Sequence, residues 1–140
     1  MNSLFWSRLH GGVTHFPIAL LFGAALFDML SLVCGGSRQR RDFAVIGFWL
    51  VTLGGLASLA AVVSGLALSN WQIGGTGQLL RHHLFVWPAF ALLVGLATWR
   101  FLVGYRPSRS AFRIYVGTVL IGCIVIGVAG FFGGELLLGQ

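Results

Sequence analysis

Four histidines and one glutamate are the residues whose types and positions could do chemistry. His10 and His15 stand at the threshold of the first long apolar run, His82 and His83 open the third, and Glu135 follows the fourth. Histidine is costly in lipid, so an imidazole at a membrane boundary usually has a partner. A neutral imidazole gives one ring nitrogen to a metal. Two imidazoles facing each other across a flat gap hold a haem iron from both sides. Together with Glu135 they also form the nitrogen and oxygen donor set that zinc or copper accepts. Other chemistries lack their residues. There is no HExxH, no convincing His and Asp partner for a serine, and Gly75-Thr76-Gly77 lies in a loop without a nucleotide-binding strand.

The elements that must position these side chains are membrane helices. The chain has 140 residues, 57% hydrophobic and 9% charged, and its mean hydropathy is +0.91. A soluble domain carries roughly 25% charged residues. Four apolar runs, at about 14–34, 43–68, 81–104 and 112–132, each suffice to cross a bilayer core, which takes about 20 helical residues. They are continuous rather than alternating, which excludes barrel strands. Short polar turns join them, so the expected fold is all-α: an integral-membrane, up-down-up-down four-helix bundle. The length suits a single domain. No cleavable signal peptide and no internal repeat are evident. Cys34 and Cys123 form no CxxC and read as small buried hydrophobes.

All nine basic residues are arginines. Seven (Arg38, Arg40, Arg41, Arg100, Arg106, Arg109, Arg113) lie toward one side, and Arg8 and Arg81 toward the other. The positive-inside rule places the seven in the cytoplasm, and both termini, all four histidines and Glu135 on the periplasmic side. The net charge of +6 is therefore topology rather than nucleic-acid binding. Arg100, at the far end of the third run, is expected to snorkel to the interface. Small residues four apart (Ala57, Ala61, Gly65; Gly130, Gly134) permit close helix packing within the bundle or across a homodimer seam.

In such a bundle the first and third helices are diagonal, and inward side chains from them face each other. His15 with His83, or with His82, is then the expected pair of axial ligands. His82 and His83 are about 100° apart on a helix, so at most one points at a given centre. The deeper His83 is preferred. Arg8 and Arg81 are the expected propionate partners. Phe16, Phe85, Trp87 and Phe131 are the expected apolar wall, and His10 and Glu135 the outer hydrogen-bonding groups. Glu135 would reach back through a turn permitted by Gly133-Gly134. Pro17 is placed in the first helical turn. Asp28 lies about 20 Å further along the helix than His15 and is rotated roughly 220° from it. It is expected to pair with an arginine among Arg38–Arg41 or with Arg100.

The run His15-Phe16-Pro17-Ile18-Ala19-Leu20, Asp28 behind it, Gly65, a histidine opening the third helix and Gly133-Gly134-Glu135-Leu136 recur in one order. In these features the chain resembles a family of small bacterial membrane proteins known as domain of unknown function 2231. The resemblance spans nearly the whole chain. It departs in having Gly11-Gly12 after His10, and the doubled His82-His83 leaves the third-helix match ambiguous. Relatives are sometimes fused to Rieske-type iron–sulfur domains, which implies a redox setting. The expected function is a haem-b membrane cytochrome, or a haem-bearing subunit of a redox complex. It would link a periplasmic redox partner with the quinone pool in a bacterial inner membrane. The alternatives are a cofactor-free structural or assembly subunit and a zinc- or copper-binding protein.

Overall fold

The long apolar runs leave their backbone groups no partner but one another, and helices are the result. A computed structural model describes residues 3–105 and 107–138. Four helices follow in order: α1 (Ser3–Val33), α2 (Ser37–Leu68), α3 (Gly77–Val103) and α4 (Arg109–Leu138). Each is long and apolar enough to cross a membrane, so the protein is a multi-pass membrane protein. Arg106, one of the seven clustered arginines, lies outside the described residues.

The helices begin before their apolar runs do. α1 starts at Ser3 rather than near residue 14, which puts His10, Gly11 and Gly12 inside the helix. Pro17 is therefore an interior residue of α1 and not part of its first turn. α4 continues to Leu138, and Gly133-Gly134 stay helical instead of turning. The turns stop the helices by recognisable means. Gly104 at φ 72° closes α3 by donating to the Arg100 carbonyl, and Pro107 follows.

α1 packs beside α2 and α4, and α3 beside α2 and α4, so α1 and α3 face each other across the bundle. The first turns of α1, from Ser3, and the last of α4, to Leu138, lie at the end that carries His10 and His82. The opposite end carries the α1–α2 and α3–α4 turns with most of the arginines. The core is a narrow column around Leu21, Ala24, Val51, Leu93 and Val119. Outward leucines, isoleucines and phenylalanines cover the rest, as a lipid-facing surface requires.

The burial pattern repeats, contrary to the expectation of no internal repeat. Leu21, Ala24 and Asp28 of α1 are buried, as are Leu93, Leu96 and Arg100 of α3, each 72 residues later. Val51, Gly54 and Ala61 of α2 correspond in burial to Val119, Gly122 and Ala129 of α4, each 68 later. Residue types agree in part: Ala19-Leu20-Leu21, Gly23 and Ala25 recur as Ala91-Leu92-Leu93, Gly95 and Ala97. The fold is two successive helical hairpins in an approximate two-fold arrangement about the bundle axis.

Candidate functional site: an imidazole pair and an ion pair on the bundle axis

An α-helix turns once in about 3.6 residues, so residues 18 apart lie on one face about 27 Å apart. His10 and Asp28 have this relation on α1, and His82 and Arg100 have it on α3. The repeat therefore sets two polar pairs against the axis at opposite ends of the apolar core. His10 and His82 form one, Asp28 and Arg100 the other.

At the histidine end each imidazole of the pair docks on the neighbouring helix of its own hairpin. The His10 ring lies on α2 above Gly65, where an added Cβ would stand 2.8 Å from its Cε1. Its Nδ1 is 3.0 Å from Ser64 Oγ. Ser64 spends its own proton on the Ala61 carbonyl at 2.9 Å, so Nδ1 is the donor in that contact. The His82 ring lies on α4 in the corresponding place. A Cβ on Gly133 would stand 3.0 Å from its Cε1, and its Nδ1 donates to the Ala129 carbonyl at 3.0 Å.

His83 is buried, and its Nδ1 donates to the Gly74 carbonyl at 2.7 Å. Trp87 Nε1 donates to the Ile73 carbonyl at 2.9 Å, so α3 grips the 69–76 loop with two side chains. In all three rings the proton sits on Nδ1. Neutral His10, His82 and His83 therefore carry the lone pair on Nε2, the tautomer that a metal or a hydrogen-bond donor uses.

His15 is exposed on the outside of the bundle, and so is Phe16 at 63%. The structure thus does not bring His15 together with His83 across the axis. The inward histidine of α1 is His10, because His15 is five positions on and faces away. The expected apolar wall is divided: Phe85 and Trp87 are half-buried, whereas Phe16 and Phe131 face outward. Phe85 stacks on Phe132 at 5.4 Å between centroids. Arg8 and Arg81 are exposed, each within two positions of a paired histidine. Glu135 is half-buried in the last turns of α4 and makes no hydrogen bond or ion pair among the described residues. Among the described residues, no three His, Cys, Asp or Glu side chains gather as a bare metal ion would need.

At the opposite end Arg100 Nη2 donates to Asp28 Oδ1 at 3.2 Å and to the Ala44 carbonyl at 2.9 Å. Both charged side chains are wholly buried, so Arg100 does not snorkel. Its guanidinium lies over the Phe112 ring at 4.7 Å and the Tyr115 ring at 5.1 Å. Gly47 makes room: a Cβ there would collide with the Asp28 carboxylate. Of the arginines the sequence offered to Asp28, the partner is the one related to it by the repeat.

No curated protein and no solved structure matches this chain. A family model described as "Predicted membrane protein (DUF2231)" matches residues 7–139, and the chain belongs to that family.

Proposed function

We propose that the protein binds haem b at the histidine end and transfers electrons there. It acts as a small membrane cytochrome or as the haem-bearing subunit of a membrane redox complex. His10 and His82 are the axial ligands in this reading, in place of His15 and His83. The observation that carries it is their equivalence: one imidazole on each of two diagonal helices, at corresponding positions, with Nδ1 engaged and Nε2 free. A haem iron asks only two such nitrogens of the protein. A zinc or copper ion asks for three or four ligands, which the described residues do not assemble. Arg8 and Arg81 would hold the propionates as charge-assisted partners. Bound haem supplies one-electron chemistry. The chain's own part is to fix the two imidazoles through Ser64 and Ala129 and to surround them with apolar helices.

The arginine asymmetry supports a periplasmic histidine end in a bacterial inner membrane. A periplasmic redox protein and the quinone pool are the partners this reading implies. Redox difference spectroscopy tests it. Protein purified from haem-replete cells should show a Soret band at stoichiometric haem that shifts on dithionite reduction. A protein without haem overturns the proposal.

The same hydrogen bonds favour a second reading, in which the imidazoles are interhelical clamps of a cofactor-free structural or assembly subunit. Each ring already seats on a glycine and bonds the helix beneath it. Under that reading the histidine variants lose stability while the wild type carries no haem.

A further inference from the structure

The arginine end holds a cavity of about 940 Å³, open to the surface between the α1–α2 and α3–α4 turns. Arg38, Arg40, Arg41 and Arg109 line it, against one acid, Asp42. Arg40 is committed, since its Nε donates to the Cys34 carbonyl at 2.5 Å. Arg38, Arg41 and Arg109 make no ion pair among the described residues.

Two further features point the same way. Ala44 and Phe112 line the cavity and also touch Arg100, so the buried guanidinium lies directly beneath its floor. Arg100 is wholly buried, yet among the described residues its Nε and Nη1 have no hydrogen-bond partner. Buried donors without partners are costly. α2 also begins here, with Gly36 extended, no side-chain cap and no acid in its first turn. Ser37 of that turn lines the cavity. Uncapped helix N-termini favour anions.

We infer that this cavity binds the phosphate of an anionic phospholipid headgroup. Its level in the membrane selects a lipid over a soluble phosphate: it sits at the ends of the spans, with Leu32 and Pro107 at its apolar side. Basic pockets between membrane helices take such headgroups, and each arginine near the surface contributes about 1 kcal/mol, roughly fivefold in affinity.

Native mass spectrometry of the whole protein in detergent, titrated with phosphatidylglycerol or phosphatidylcholine, tests this. Phosphatidylglycerol should bind the wild type, and R38Q/R41Q/R109Q should weaken that binding by roughly a hundredfold, about fivefold per arginine. R113Q, outside the cavity, should leave it unchanged. If the triple variant does not fold, R109Q alone should lose about fivefold. Equal binding of the two lipids, or undiminished binding by the cavity variants, overturns the inference. So does competition by millimolar inorganic phosphate that abolishes lipid binding, since the site would then be one for soluble phosphate.

Discussion

Asp28 and Arg100 hold the same position in successive hairpins and meet at 3.2 Å on the axis between them. A two-fold repeat ordinarily brings like residues together at its axis. Here it brings opposite charges, and burial inside a membrane span makes each dependent on the other. Removing one partner of such a pair leaves an uncompensated buried charge, whereas removing both can be close to neutral. D28A should therefore destabilise the protein by about 3–5 kcal/mol. D28A/R100M should recover much of that loss in reversible denaturant unfolding in detergent. Additive losses would show that the pair contributes no coupling.

Gly47 is the residue that lets the pair form. G47A sets a methyl group against the Asp28 carboxylate, which is wholly buried and held by Arg100. Overpacking of this kind costs about 1–3 kcal/mol. The penalty should shrink in the D28A background, where the colliding group is gone. A penalty independent of Asp28 would assign Gly47 a different role. Thermal melts of the four proteins decide.

The repeat makes Gly65 and Gly133 equivalent seats for His10 and His82. G65A and G133A should both displace an imidazole, and each should disturb the same spectroscopic or stability readout as H10A and H82A. G134A, where an added Cβ meets no neighbour within 4 Å, should leave it unchanged.

His15 and His10 should behave oppositely. H15A removes an exposed side chain and should change stability by no more than about 0.5 kcal/mol. H10A loses the Ser64 bond and should cost about 1 kcal/mol, the scale of interhelical hydrogen bonds in membranes. A larger loss in H15A than in H10A would reverse the assignment of the inward histidine.

The four helices, their antiparallel order and the diagonal relation of α1 and α3 were legible in the apolar runs and turn lengths. Asp28 was legible as a residue in need of an arginine. The inward histidine was legible as well, in the five turns between His10 and Asp28. It is obscured because α1 runs on through Gly11-Gly12, which helix propensity disfavours. The apolar run alone therefore places His10 outside the helix. The repeat is obscured for another reason. Lipid accepts any apolar residue on the outer faces, so selection for pattern rests on a few small inward positions such as Gly54 and Gly122. The hold of His83 on Gly74 follows the path of the 69–76 loop. There Asn70 and Trp71 take left-handed backbone angles, which asparagine accepts readily but tryptophan does not announce.

In the proposed function His10 and His82 ligate one haem iron. The most direct measurement is the low-temperature electron paramagnetic resonance spectrum of the oxidised protein, taken alongside H10A, H82A and H15A. A low-spin bis-imidazole signal is expected in the wild type and in H15A, converted to high spin or lost in H10A and in H82A. A low-spin signal that survives both H10A and H82A, or a wild type with no haem signal, contradicts it.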